Sequence, residues 1–160
     1  SIVEIGSAFG RSTVAMGLGL ESGGKGHIYA VDPHSGGKGF IEELGDSASE
    51  FNSLQSFNAN IARFNLQSLI TPVVATSNDA VANWNNGKIR LMFIDGWHTY
   101  DAVKHDILAW SPYFAKDAVI ALHDYQMDEI QQAIHDSMIE LSIPSSKLQV
   151  IKQEFAYFSV

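Results

Sequence analysis

Ile2-Val3-Glu4-Ile5-Gly6-Ser7-Ala8-Phe9-Gly10-Arg11-Ser12 passes from a strand pattern to a helix pattern through a loop bounded by two glycines. Residues 2–5 form a short apolar run ending at Gly6. Residues 12–21 read as a helix, weakened by Gly17 and Gly19, which each cost about 1 kcal/mol relative to Ala. The same alternation recurs along the chain. Residues 27–31 form a second strand ending at Asp32-Pro33. A Gly/Ser-rich stretch, 35–39, leads into an unassigned segment up to Gly45. Ser47 and Glu50 have capping-box spacing ahead of Phe51, Leu54, Phe57, Ile61 and Phe64, a helical stripe whose aromatics belong to the core. Residues 69–74 are the third strand, 79–84 a short helix, and 90–94 the fourth strand, ending at Asp95-Gly96. A helix over 101–110 carries Val103, Ile107 and Trp110 on one face. Residues 118–122 are the fifth strand, ending at His123-Asp124. Ile130, Ile134, Met138 and Leu141 mark the next helix, and 148–151 with 155–160 form an antiparallel closing pair. Five β-α units followed by a hairpin specify an α/β chain: a parallel sheet covered by helices.

The length of 160 residues fits one domain, 1–160, and no internal repeat or low-complexity linker divides it. The absence of cysteine excludes disulfide frameworks, thiolate metal sites and cysteine nucleophiles. Ten Lys and Arg stand against 18 Asp and Glu, a net charge of −8 with no basic cluster, which argues against nucleic-acid partners. No apolar run approaches the ~20 residues of a membrane span. These features suit a cytoplasmic enzyme. The low charged fraction, 18%, is compatible with a homo-oligomer interface. Ser1 opens directly into a strand pattern, so a natural N-terminal segment is expected ahead of it.

In open parallel sheets ligands bind outside the carboxyl ends of the strands. Those ends carry Glu4-Ile5-Gly6, Asp32, Asp95 and His123-Asp124. In the glycine loop, Gly6 permits a tight turn and Gly10 a close helix. The spacing is neither GxGxxG nor a P-loop, so a pyrophosphate is poorly matched. Asp32, about 20 residues further on, stands where an acid accepts hydrogen bonds from ribose hydroxyls. In Phe93-Ile94-Asp95-Gly96-Trp97-His98-Thr99-Tyr100, His98 reaches back over the strand end and has the titration range of a general base. Asp95, His123 and Asp124 offer oxygen and nitrogen ligands to one divalent ion. Carboxylates favour magnesium, and a histidine moves the preference toward manganese, iron or zinc. A purely structural arrangement, with Asp124 capping a helix and His123 packed, is the alternative. Trp97, Tyr125 and Phe40 are candidates for an acceptor pocket.

Residues 3–12 resemble the first motif of class I S-adenosylmethionine-dependent methyltransferases. Residues 93–100, Asp106 and Ala121-Leu122-His123-Asp124-Tyr125 are similar to the branch of macrocin-type O-methyltransferases and cephalosporin-hydroxylase-like proteins, related to the catechol type. The resemblance implies a Rossmann-like doubly wound seven-stranded sheet, mostly parallel with an antiparallel last strand. It places the methionine part of the cofactor over Gly6, Ser7, Gly10 and Ser12, with Glu4 near the amino group. It places the ribose on Asp32 and the adenine near Thr76, Ser77 and Asp95. Asp95, His123 and Asp124 occupy its metal positions and His98 its base. The second ligand place is more often acidic or an amide than His in this family. Its helical segments ahead of the first strand are expected outside this sequence.

A sulfonium cation needs no phosphate cradle, which suits the glycine spacing. Holding a hydroxyl in line with the methyl carbon contributes on the order of 7–11 kcal/mol. The expected activity is therefore O-methylation of a small hydroxylated molecule. The competing readings are an NAD-dependent oxidoreductase, a non-catalytic methyltransferase-like module and, more remotely, a metal-dependent hydrolase.

Overall fold

The computed structural model of the protein describes residues 1–23, 25–36 and 52–160. Strand β1 (Ile2–Ile5) pairs in parallel with β2 (Ile28–Val31) on one side and β4 (Ile89–Ile94) on the other. Val3, Glu4 and Ile5 are all buried, because a strand with neighbours on both edges and helices on both faces has no solvent side. β3 (Ile70–Val73) lies beyond β2, and β5 (Phe114–Leu122) lies beyond β4. β7 (Phe155–Ser159) runs antiparallel to β5, and β6 (Gln149–Ile151) antiparallel to β7. The order is β3-β2-β1-β4-β5-β7-β6. This is the seven-stranded, mostly parallel sheet with an antiparallel last strand expected above. The usual dinucleotide-binding order places a sixth strand directly after the fifth; here β7 is inserted between them.

Helices cover both faces. α1 (Arg11–Gly23) and α2 (Leu54–Arg63) bring Val14, Phe57 and Ile61 onto Ile28, Ala30 and Ile70. On the other face lie α3 (Ser77–Ala82), α4 (Tyr100–Trp110) and α5 (Asp128–Glu140). There Ile107, Trp110, Ile130 and Ile134 pack with Ile5, Met92, Ile120 and Phe158. Gly17 is buried inside α1, and a Cβ at that position would come 2.8 Å from Leu66 Cδ1. Close packing thus accounts for a residue that weakens the isolated helix.

Several boundaries differ from the sequence reading. β5 begins at Phe114, ahead of the expected 118, because exposed Lys116 and Asp117 break the apolar run. Asp117 has φ +60°, and the β4–β5 register slips between Ile89 and Leu91, so the strand continues across an irregularity. α3 starts at Ser77 instead of 79. The Thr76 hydroxyl caps it, accepting from the Asp79 backbone N–H and donating to the Asp79 carboxylate. Phe64, expected in the core stripe, is at the C-cap of α2 and 42% exposed, with the Arg63 guanidinium 5.9 Å from its ring. Ser47, Glu50, Phe51, Phe40 and most of the Gly/Ser-rich stretch lie outside the described residues. No helix among the described residues is long and apolar enough to cross a membrane.

Candidate active site

The strand order turns back between β1 and β4, and the loops after these two strands touch. Asp95 N–H donates to Ile5 O at 2.9 Å, and Gly6 N–H donates to Val31 O at 2.9 Å. Gly6 has φ +87°, and a Cβ there would lie 2.3 Å from the Asp95 carbonyl oxygen. Only glycine satisfies both the backbone angle and the contact. The loop closes on itself through Gly10 N–H to Ser7 O, 2.7 Å. Ser7 is buried, and its Oγ has no hydrogen-bond partner among the described residues.

Beneath the loop, Glu4 is fully buried and accepts hydrogen bonds from the Ser12 and Thr13 hydroxyls in the first turn of α1. Burial pushes its carboxyl up to about 7, against the opposing pull of the two hydroxyls. Beside the loop, Asp32 accepts from two backbone amides: Ala8 N–H on Oδ2 at 2.8 Å and His34 N–H on Oδ1 at 2.6 Å. Its side chain retains 15% exposure.

Across the junction, the ends of β4 and β5 bring together Asp95, His98, His123 and Asp124. His98 Nε2 lies 2.8 Å from Asp124 Oδ2 and 3.8 Å from Asp95 Oδ1. His123 Nδ1 lies 2.8 Å from Asp124 Oδ2 and 3.5 Å from Asp95 Oδ1, with its ring edge-on to Phe155. The Asp95 and Asp124 carboxylates beside it raise the His98 imidazole, opposed by partial burial. Partial burial acts to raise Asp124, but hydrogen bonds from His123 and Gln126 and the nearby imidazoles outweigh it and hold the carboxyl low. Donor atoms of Asp95, His98 and Asp124 lie within 4.8 Å of one another. That set, two carboxylates and an imidazole, has the donor chemistry of a divalent-cation site.

The remaining predicted residues have protein partners. Thr76 caps α3. The Ser77 hydroxyl donates to Asp106 and accepts from Trp110 Nε1–H at 3.0 Å. Trp97, 53% exposed, stands on the rim between Asp95 and His98, while Tyr125 packs against the main core. Ala8, Thr13, His34 and Ser53 enter the site without having been assigned a part from sequence. Only Asp32-Pro33 signalled one of them, since an Asp side chain commonly accepts from the backbone two residues on. A hollow of about 420 Å³ opens at the opposite end of β5, between Pro112, Lys116 and Pro144, and takes no part in this rim.

The profile of the methyltransferase domain family matches residues 3–125. Among solved structures, the O-methyltransferase NovP superposes with TM-score 0.81 at 14% identity, over 99% of this chain and 71% of that one. An O-methyltransferase from Bacillus cereus, in complex with S-adenosylhomocysteine, gives TM-score 0.68 at 16% identity, over 99% and 73%. TomG from Streptomyces achromogenes, an O-methyltransferase of tomaymycin synthesis in complex with S-adenosylmethionine, gives 0.66 at 15%, over 99% and 72%. At these identities the likeness is one of fold, and the sheet order agrees with it. With the family match spanning most of the chain and the glycine loop, Asp32 and the β4–β5 cluster on one rim, the chain belongs to the methyltransferase domain family, as a class I S-adenosylmethionine-dependent methyltransferase.

Proposed function

We propose that this methyltransferase acts on a hydroxyl group of a small molecule. The observation that carries the reading is the contact of Gly6 with the Asp95 carbonyl. It puts the glycine loop and the acid–histidine cluster on adjacent strands, so a methyl donor and a deprotonated hydroxyl would meet between them. The names of the superposed O-methyltransferases support the same choice.

The residues fit the cofactor. An ionised Asp offers about four lone-pair directions. Two of those on Asp32 are taken by backbone amides, leaving acceptors for a ribose diol. The Ser7 hydroxyl, without a partner among the described residues, and the loop of Gly6 and Gly10 suit the methionine portion. Thr76, Ser77 and Asp95 border the adenine side in this assignment, and Glu4 and Ser12 hold the loop from beneath. Bound S-adenosylmethionine supplies a methyl group on a sulfonium that leaves as a neutral thioether.

The donor set also fits a divalent ion. We assign Asp95 and Asp124 to holding it together with His123, whose Nδ1 lies 3.5 and 2.8 Å from their carboxylates, in place of His98, which is kept for the proton; the carboxylates favour magnesium. Such an ion lowers the pKa of a coordinated hydroxyl. His98, on the loop and the more exposed imidazole, is assigned the acceptor's proton. In the transfer the acceptor's proton passes to the His98 imidazole, whose Nε2 first leaves the Asp124 carboxylate 2.8 Å away, while the oxygen–methyl bond forms and the sulfonium's bond to that methyl breaks.

The test is calorimetric titration with S-adenosylmethionine and with NAD, each with and without magnesium. S-adenosylhomocysteine release is then measured with phenolic and sugar acceptors. Binding of S-adenosylmethionine alone, with turnover on a hydroxylated acceptor, is expected; binding of NAD alone overturns the reading. His98→Gln should lower turnover at unchanged magnesium dependence. A weakened magnesium requirement curve in that variant would reassign His98 as a ligand.

A further inference from the structure

Asp32 is oriented by main chain on both sides, and one of its two donors belongs to a residue with unusual anchoring. His34 adopts φ +56°, a left-handed backbone uncommon outside glycine but tolerated by His and Asn. That turn brings its N–H back onto Asp32 Oδ1, across Pro33. The ring is 2% exposed, with Nδ1 2.8 Å from Ser53 Oγ and its centroid 5.3 Å from that of Phe57. Ser53, also buried, returns its own N–H to His34 O at 3.1 Å. His34 is thus tied to Asp32 by its amide and to Ser53 by both its carbonyl and its ring.

The arrangement has a cost. Among the described residues Nε2 of the buried imidazole has no partner, and burial holds the ring below its ordinary titration range. Filling the space beside Phe57 does not require such a group, since an apolar side chain would leave no orphaned nitrogen. A polar ring here instead gives direction. Its bond to Ser53 fixes the rotation of residue 34, and with it the direction of the N–H that meets Asp32.

We propose that His34 is a positioning residue for the cofactor: its ring, docked on Ser53 and Phe57, aims its backbone N–H so that the Asp32 carboxylate presents its free acceptors to the ribose. This rests on the assignment of Asp32 to the ribose made above.

The experiment compares S-adenosylhomocysteine with its 2′-deoxyribose analogue by calorimetry, using the full chain. The wild type should prefer the ribose form by about tenfold, the worth of one hydrogen bond to a charged group. Asp32→Ala gives the floor of that preference. His34→Ala should lose most of the preference while still binding the deoxy analogue, and His34→Asn, which tolerates the backbone and keeps a polar group for Ser53, should restore much of it. A merely structural role weakens both ligands alike and leaves the ratio intact. If His34→Ala does not fold, as judged by thermal melting, Ser53→Ala carries the same expectation. A wild-type ratio retained in a folded His34→Ala or Ser53→Ala variant overturns the proposal. Wild-type protein that binds S-adenosylhomocysteine without ribose preference removes Asp32 from the ribose, and the proposal with it. No binding of S-adenosylhomocysteine at all strikes the underlying cofactor assignment, a result distinct from the other two.

Discussion

At Glu4 a carboxyl lies inside the sheet without solvent contact, held by Ser12 and Thr13 and raised by burial to about 7. Its folded-state value is above the ordinary 4.5, so the stability it contributes is fully present below about pH 4.5 and lost as pH rises through about 7. The scale is about 3 kcal/mol. Urea denaturation at several pH values should show Glu4→Gln gaining on the wild type across that window; a pH-independent difference would refute the assignment. Gly6→Ala is the harsher change, because the added carbon meets the Asp95 carbonyl at 2.3 Å in a left-handed backbone. It should cost about 3 kcal/mol by denaturant titration, and a loss well under about 1 kcal/mol would mean that the β1 and β4 loops part easily. Residues such as Asp32, Asp95, His98 and Asp124 were legible in the sequence because each sits at or just past the end of an apolar run. The part played by His34 was not, since its partner Ser53 is 19 residues away and only the folded chain joins them.

Element by element, the strands of the parallel sheet read well because burial on both faces leaves short continuous apolar runs between turn residues. The reading slipped where local chemistry overrode pattern. The Thr76 and Asp79 pair is a capping signal that starts α3 at Ser77, two residues ahead of the expected 79. Lys116 and Asp117 concealed the first half of β5. The α3–α4 junction contains a polar group that periodicity cannot reveal: Asp106, 6% exposed on α4, takes the Ser77 hydroxyl, which in turn accepts from the Trp110 indole. Burial raises the Asp106 carboxyl, opposed by that hydroxyl. Ser77→Ala leaves both partners unpaired and should lower stability by about 1–3 kcal/mol. Thermal melting followed by tryptophan fluorescence checks it, and an unchanged transition would show that water replaces the hydroxyl without loss.

Over the whole molecule, the rim divides by strand. Asp32 ends β2 and Asp124 ends β5, three strand spacings apart, or about 14 Å. Groups so separated act nearly independently. Asp124→Asn should therefore leave S-adenosylhomocysteine affinity within about threefold while lowering turnover by about a hundredfold or more. A large affinity loss would show that the two halves are coupled through the Gly6–Asp95 contact. That contact also has a consequence for how the protein is made. β1 leaves the ribosome long before β4, residues 89–94, and at 5–20 residues per second it waits on the order of 5–20 s for that neighbour. Through this interval one edge of β1 is bare and the glycine loop lacks the carbonyl against which it rests. A ligand seated at this junction cannot guide the folding of β1, because the junction is finished only once residue 95 has been synthesised, and the nascent chain must be shielded from strand-pairing with its neighbours until then.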